Sequence, residues 1–239
     1  MYKAQLVSVI LPTFNEKDSI KKVINDFEKL NVVDEIIVVN NNARAGTSEE
    51  VYKTTAIEIH ESIQGYGSAI QCGLKAAKGD LVIICEPDDT FLAEDIYKFF
   101  EYSNNFDIIY GTRTTKNLIW ENANMGLFLK WGNWAVAKLI EFLFNTNYLS
   151  DVGCTYRLVR KNVVNELLPL FRVKTNFFSP EMMILGFQLK FKCVQIPINY
   201  KARIGTSSVT GDLNKAFFLG IKMIGLIVSM RFRKINPKH

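Results

Sequence analysis

The chain has 239 residues, of which 48% are hydrophobic and 22% are charged, and its formal net charge at pH 7 is +5. This composition argues against wholesale disorder and is sufficient for one full-size domain with at most a small appendage. The four cysteines include no Cys-x-x-Cys pair and only two histidines are present, which disfavours a disulfide framework, a histidine-based zinc site and a Ser-His-Asp triad.

Strand and helix patterns alternate over the first half of the chain. Apolar, β-branched runs predict strands at 6–12, 35–40, 57–60, 80–85 and 107–113. Helical spacing and capping residues predict helices at 15–30, 46–55, 68–78 and 93–103. Continuous apolar strands that alternate with helices indicate an α/β fold with a mainly parallel sheet covered on both faces.

The second half of the chain is richer in aromatic residues. Trp120, Trp131 and Trp134 lie among other apolar residues, and a helix with a wide apolar surface is predicted from residue 126 onward. A strand is predicted at 192–203 and an amphipathic helix at 214–234, and no acidic residue occurs after position 212. We therefore divide the chain into a main domain, 1–212, and a basic helical extension, 213–239.

The three tryptophans and the basic extension together favour a membrane surface, because Trp and basic side chains prefer the bilayer interface. No run approaches the ~20 apolar residues of a membrane-spanning helix, and the first apolar run is typical of a strand rather than of a signal peptide. We expect residues 214–234 to lie in the membrane plane. The alternative is a helix that packs on the domain or at a dimer contact.

Polar residues follow four of the predicted strands, at 12–16, 40–42, 86–89 and 111–113. Parallel sheets bind ligands at the carboxyl ends of their strands, so these residues predict a binding site at one edge. Within it, Glu86 and Asp88 point the same way if the backbone is extended, and they can then share one cation. Carboxylate oxygens favour Mg²⁺ or Mn²⁺, which usually also bind substrate phosphates. The alternative is an acidic loop that caps the helix beginning near Ala93.

Seven segments, in this order, carry a resemblance to a known family. They are VSVILPTFNE (7–16), EIIVVNNNARAGT (35–47), GYGSAIQCGLKAAKGD (65–80), EPDD (86–89), GTR (111–113), SDVGCTYRLVRK (150–161) and IPINYKARIGTSS (196–208). In these segments the chain resembles the family 2 glycosyltransferases, and in particular the dolichyl- and polyprenyl-phosphate sugar transferases. The resemblance implies a GT-A (Rossmann-like) fold and a metal-dependent, inverting transfer of a sugar from a UDP- or GDP-linked donor to a polyprenyl phosphate.

The resemblance also implies roles for individual residues. Glu86 and Asp88 fall on the DxD metal motif, and Thr90 falls where a polar residue often assists. Four residues are predicted to be catalytic: Asp88, Arg113, Asp151 and Arg203. Eight further residues are predicted to bind substrate: Pro12, Phe14, Glu16, Asn40, Asn41, Glu86, Arg157 and Ser207. Gly65 and Gly67 precede a helix and are candidates for a close approach of the diphosphate to backbone N–H groups, or for a tight turn alone.

Four positions depart from the family pattern. Asn40 and Asn41 stand where two aspartates are usual, which leaves the identity of the base open. Tyr66 replaces a lysine, so one cation near the diphosphate is absent, and Glu86 replaces an aspartate. A catalytically lapsed module that binds nucleotide sugars is therefore one alternative.

The absence of an obvious general base favours a phosphate over a hydroxyl as the acceptor. A lipid phosphate, with a second pKa of about 6, is largely a dianion at neutral pH and needs cations to position it rather than a base. A saccharide hydroxyl is the alternative acceptor, and Asp151 and Glu181 are then the candidate bases. We expect a cytoplasmic protein, peripheral on the inner membrane face, without a nucleic-acid partner, and a homo-oligomer remains open.

Overall fold

The computed structural model describes residues 1–121, 123, 127–146, 148–204 and 213–235, with the backbone alone for 127–129 and 213–217. Its strands are β1 (Val7–Thr13), β2 (Glu35–Asn40), β3 (Ile57–His60), β4 (Leu81–Ile84), β5 (Ile108–Thr112), β6 (Arg157–Arg160) and β7 (Cys193–Pro197). Over the described residues these strands form a seven-stranded sheet in the order β3-β2-β1-β4-β6-β5-β7. Only β6 runs antiparallel to its neighbours in this sheet, and the other described pairs are parallel.

Helices cover both faces of the sheet. They are α1 (Ile20–Glu28), α2 (Thr47–Val51), α3 (Tyr66–Ala76), α4 (Ile96–Ser103), α5 (Leu127–Phe144), α6 (Lys161–Leu167), α7 (Phe178–Gln188) and α8 (Leu213–Phe232). Short 3₁₀ turns occupy Ala93–Asp95, Lys116–Leu118 and Leu168–Leu170.

Two hydrophobic clusters, one on each face, account for the stability of this arrangement. Along β1, Val9 and Leu11 belong to the cluster that packs against α1 and α4, while Ile10 belongs to the one beneath α3 and α5–α8. This alternation is the two-residue period of a strand, and it explains why the buried strands read as continuous apolar runs. The predicted α/β sheet is confirmed.

The last strand is shorter than the sequence predicts. The predicted strand at 192–203 ends at Pro197, and one further bond, from the N–H of Ile198 to the carbonyl of Thr112 (3.1 Å), joins the following residue to β5. Beyond it, the chain pairs with other loops. The N–H of Lys201 donates to the carbonyl of Thr90 (2.8 Å), and the N–H of Ile204 donates to that of Asp88 (3.0 Å). Residues 201–204 therefore lie along the loop that follows β4.

The two apolar helices of the second half pack on the domain. α5 and α8 contact each other, and both contact α7. On α8, Ile227 and Met230 are buried in the core beneath α3. Among the described helices, none has the length and apolar content needed to cross a membrane.

Candidate active site

The loops that follow β1, β2, β4 and β5 meet at one edge of the sheet, as the polar strand ends predicted. The N–H of Asn41 donates to the carbonyl of Thr13 (3.0 Å), which ties the loop after β2 to the end of β1. The hydroxyl of Ser19, just before α1, donates to the carbonyl of Pro87 (2.6 Å) and holds the loop after β4. Backbone and side-chain bonds thus fix the positions of the candidate site residues.

A pair of carboxylates, Glu86 and Asp88, shares one guanidinium at this edge. Asp88 is only 2% exposed, and its Oδ1 accepts from the N–H (3.0 Å) and the hydroxyl (2.6 Å) of Thr90. Nη2 of Arg203 lies 2.5 Å from Oδ2 of Asp88 and 3.3 Å from Oε2 of Glu86. The Oδ2 atom is buried and accepts no well-aligned hydrogen bond, so its contact with Arg203 is mainly electrostatic.

The third carboxylate of the segment, Asp89, has a different role. Its backbone adopts a left-handed conformation (φ 62°), and its Oδ1 contacts Nζ of Lys22 on α1 and Nζ of Lys201, each at 2.7 Å. These two ion pairs hold α1 and residues 201–204 against the loop after β4. Asp89 is therefore a structural anchor beside the carboxylate pair.

The carboxylate pair fits a divalent cation. Oδ2 of Asp88 is a buried oxygen without an aligned donor, and Glu86 lies two residues away on the same side. Burial and the charge of Asp88 raise the pKa of Glu86 to about 8, against the opposing effect of Arg203 and Arg113. Within the described residues, no three His, Cys, Asp or Glu side chains are clustered as a metal site. A cation held here would therefore complete its ligand shell with water and substrate oxygens, as Mg²⁺ commonly does.

Arg113, at the end of β5, is held by a buried partner. Its Nε and Nη2 donate to the two carboxylate oxygens of Asp151 at 2.8 and 2.9 Å, and its guanidinium lies 5.4 Å from the ring centre of Tyr200. Asp151 has no exposed surface; burial opposes its ionisation, but Arg113 holds its pKa below the ordinary value. A buried carboxylate with a lowered pKa is a poor general base, so this geometry favours Asp151 as a positioning residue for Arg113.

Arg157 lies in the interior rather than at the site edge. It is 2% exposed, and its guanidinium donates to the backbone carbonyls of Cys154 (2.9 Å), Ser179 (2.8 Å) and Val152 (3.3 Å). These bonds occupy the guanidinium and join β6 to the start of α7. These bonds do not favour the predicted contact between Arg157 and substrate, because its guanidinium bonds with backbone carbonyls rather than with the Glu86–Asp88 pair.

Glu181 is also an interior residue. It is 1% exposed, and its carboxylate accepts from the N–H groups of Arg172 (2.9 Å) and Val173 (3.0 Å), with Arg233 at 3.5 Å. A carboxylate engaged in this way holds the 172–173 backbone. Its burial leaves it badly placed to take a proton from an acceptor.

The residues after β1 form an edge of the site with one exposed aromatic ring. Pro12 is buried in β1, whereas Phe14 is 45% exposed. The Oε2 atom of Glu16 accepts from the N–H groups of Phe14 (2.7 Å) and Asn15 (2.8 Å). Glu16 therefore shapes this turn, and the ring of Phe14 is available to stack on a ligand.

The two asparagines organise the neighbouring loop. Asn41 donates to the carbonyls of Glu61 (2.7 Å) and Ile63 (2.8 Å), and its Oδ1 accepts from the N–H of Gly65 (2.8 Å). Asn40 donates to Glu58 (2.9 Å) and to Ser48 (3.1 Å). An aspartate at 41 could not donate to the two carbonyls, so the departure from the family pattern has a local structural reason.

Close packing against residues 173–174 requires glycine at positions 65 and 67. Gly65 has a φ of 149°, and a Cβ atom there would overlap the carbonyl oxygen of Lys174; at Gly67 it would lie 2.6 Å from that of Val173. The close approach is thus to residues 173–174, and this geometry favours the tight turn over diphosphate contact. Between the glycines, the hydroxyl of Tyr66 is buried without a hydrogen bond. Ser207 lies outside the described residues.

Comparison with known proteins places this site in a family. The model of Glycosyl transferase family 2 matches residues 8–168. The dolichyl-phosphate hexose transferase of Haloferax volcanii is 25% identical over 204 residues, which cover 85% of this chain and 86% of that protein. The UDP-N-acetylglucosamine–dolichyl-phosphate N-acetylglucosaminyltransferase of Methanococcus voltae is 25% identical over 236 residues, covering 87% of this chain and 92% of that protein.

Solved structures show the same fold. Glucosyl-3-phosphoglycerate synthase of Mycobacterium tuberculosis in complex with uridine diphosphate matches with a TM-score of 0.75 at 15% identity, over 98% of this chain and 82% of that chain. Its complex with Mn²⁺, uridine diphosphate and phosphoglyceric acid matches with a TM-score of 0.74 at 14% identity, over 98% and 81%. The chain therefore belongs to glycosyl transferase family 2, and it is a glycosyltransferase with the GT-A fold.

Proposed function

We propose that this glycosyltransferase transfers a sugar, with inversion, from a UDP- or GDP-linked donor to a polyprenyl phosphate such as dolichyl or undecaprenyl phosphate. The observation that carries the proposal is the cluster of Glu86, Asp88 and Arg203 at the carboxyl edge of the sheet, where carboxylates for a cation and a guanidinium for a phosphate meet. The relatives named as dolichyl-phosphate sugar transferases, which align over most of the chain, support this acceptor class.

Glu86 and Asp88 are the residues that would hold Mg²⁺ or Mn²⁺. A bound divalent cation supplies Lewis-acid stabilisation of the charge on the departing diphosphate. Asp88 would offer Oδ2 to such a cation, because its Oδ1 is already engaged by Thr90. The carboxylate of Asp151 holds Arg113 in place and raises the pKa of its guanidinium. Arg113 therefore supplies a permanent positive charge at the end of β5.

A phosphate acceptor agrees with the proton chemistry of the site. The two candidate bases, Asp151 and Glu181, are both buried and engaged by donors. A phosphate dianion attacks without losing a proton, so it needs positioning charge only. Arg203, which is 31% exposed, is able to supply that charge.

A membrane-facing surface would bring the enzyme to its lipid acceptor. α5 and α8 together expose large apolar side chains, namely Trp131, Trp134, Phe142, Phe218, Ile221, Ile224, Val228 and Phe232. Exposed cations, Lys222 and Arg231, accompany them on α8. We call this surface the α5–α8 face and propose that it lies on the cytoplasmic side of a membrane, with α8 in the membrane plane. In this arrangement residues 1–212 are the catalytic domain, and residues 213–239 are a membrane-associated extension of it.

A transfer assay tests the proposal. Purified protein is incubated with UDP- and GDP-sugars and a short polyprenyl phosphate, with Mn²⁺, with Mg²⁺ or with EDTA. We expect a glycolipid that forms only with metal and is lost in Asp88→Ala. Donor hydrolysis without glycolipid would instead indicate a hydroxyl acceptor, and tight nucleotide binding without either product would indicate a lapsed binding module.

A further inference from the structure

Arg203 occupies the position between the carboxylates that a divalent cation would need. Its Nη2 atom lies 2.5 Å from Oδ2 of Asp88 and 3.3 Å from Oε2 of Glu86. Oδ2 is the oxygen of Asp88 that Thr90 leaves free. One guanidinium nitrogen therefore neutralises the two oxygens that are best suited to bind a metal.

Backbone bonds fix the segment that carries this arginine. Residues 201–204, which we call the strap, donate from the N–H groups of Lys201 and Ile204 to the carbonyls of Thr90 and Asp88. The Nζ atom of Lys201 also pairs with Asp89 at 2.7 Å. The strap is thus anchored at both ends beside the carboxylates, and the Arg203 side chain pairs with Asp88 by charge and donates a hydrogen bond to Glu86.

We propose that Arg203 and the divalent cation are alternative occupants of the Glu86–Asp88 pair, and that metal binding releases Arg203 toward the acceptor phosphate. The buried carboxylate of Asp88 and the partly buried one of Glu86 need positive charge, and Arg203 supplies it when no metal is bound. A divalent cation placed at Oδ2 repels the guanidinium from a few ångströms away, so only one of them holds that oxygen. The released guanidinium then faces the incoming phosphate dianion.

This inference rests on the proposed function for the identity of the phosphate, but metal competition is measurable without turnover. Free Mn²⁺ is titrated by electron paramagnetic resonance against the full chain and against Arg203→Gln, with no donor or acceptor present. We expect Arg203→Gln to bind Mn²⁺ about tenfold more tightly, because the competing charge is removed. Arg231→Gln on α8, which removes the same charge from an exposed position, leaves the affinity unchanged.

Thermal unfolding gives a second measurement on the same variants. Arg203→Gln removes the cation that lies between Asp88 and Glu86, so its Tm in EDTA falls below that of the parent, and saturating Mn²⁺ raises its Tm by more than it raises the parent's. If Arg203→Gln is too unstable to titrate, Arg203→Lys replaces it, because lysine keeps the positive charge on a single ammonium group. We expect Arg203→Lys to bind Mn²⁺ about threefold more tightly than the parent.

The outcomes separate the two proposals. Unchanged or weaker Mn²⁺ binding in both arginine variants overturns the competition. Binding of Mn²⁺ by Asp88→Asn at the parent's affinity shows that the metal lies elsewhere, and it overturns both the competition and the metal site of the proposed function. The expected Mn²⁺ affinities together with no transfer to polyprenyl phosphate support the competition and contradict the acceptor.

Discussion

The guanidinium of Arg113 and the carboxylate of Asp151 form a bidentate ion pair through two N–H···O bonds of 2.8 and 2.9 Å. The N–H of Arg113 donates to the same carboxylate at 3.1 Å, as does that of Gly153 at 3.0 Å. This carboxylate therefore joins the end of β5 to residues 151–153. The pair fixes a cation at the site edge and at the same time links two segments that are 38 residues apart in the chain.

We expect Asp151→Ala to lower the free energy of unfolding by about 3 kcal/mol, because it leaves the largely buried guanidinium of Arg113 without a partner. Urea denaturation measures the difference. The matched control is Asp18→Ala, which removes the exposed Asp18–Arg44 pair (3.6 Å) and costs less than about 1 kcal/mol. Equal losses for the two variants would contradict a stabilising role for the buried pair.

The same pair predicts a pH dependence of stability. Arg113 holds the pKa of Asp151 below its ordinary value of 3.8, against the effect of burial, so the folded state favours the ionised carboxylate. The stability that Asp151 contributes is then complete above about pH 4 and is lost as the pH falls through the lower pKa of the folded state.

Denaturation of the parent chain and of Asp151→Asn between pH 2.5 and 7 tests this sign. The stability difference between the two proteins is expected to be constant at neutral pH and to shrink only in the acid range. A difference that disappears on going from pH 7 to pH 5 would require a raised pKa and would contradict the lowered one.

Asn41→Asp tests why this chain departs from the family pattern. The substitution restores the residue usual in the family, yet it places an acceptor-only carboxylate against the carbonyls of Glu61 and Ile63. We expect a loss of about 2 kcal/mol in the free energy of unfolding, since two acceptors lose their donor and a charge is buried.

Asn42→Asp is the matched control, because Asn42 makes similar bonds to Ser62 and Gln64 from an exposed position. We expect that variant to lose less than about 1 kcal/mol. If Asn41→Asp proved as stable as the parent, the two carbonyl contacts of Asn41 would not explain the departure.

Local sequence patterns predicted most of the sheet, and the reason lies in its buried strands. The strands at 35–40 and 57–60 are found at those residues, and the other parallel strands of the first half lie within one residue of their predicted ends. β6 was not predicted, because its four residues, Arg157–Arg160, begin and end with arginine and lack an apolar run. Its place in the sheet depends on antiparallel pairing with β4 and β5, which local periodicity does not encode.

The candidate site was predictable in its location but not in its contacts. Polar strand ends indicated the edge at which the candidate residues meet, since parallel strands bring their carboxyl ends together. Arg203 lies 115 positions after Asp88, and only the backbone pairing of the strap brings its guanidinium to that carboxylate. The bonds of Arg157 to three carbonyls likewise depend on the packing of β6 against α7, so a motif match alone placed it at the substrate.

Substitutions on the α5–α8 face test the proposed membrane contact. Phe142 on α5 is 84% exposed and Phe232 at the end of α8 is 80% exposed, so neither stabilises the domain by burial. We expect Phe142→Glu and Phe232→Glu each to weaken binding to anionic vesicles about tenfold, because each removes an apolar side chain from the bilayer and adds a repelled charge.

Tyr52→Glu is the control: Tyr52 is 72% exposed and follows Val51, which belongs to the cluster on the opposite face of the sheet. Sedimentation with vesicles measures the binding, and the Tm of each variant should match that of the parent. If Tyr52→Glu weakened binding as much as the two phenylalanine variants did, charge alone would account for the effect and the α5–α8 face would not be the contact surface.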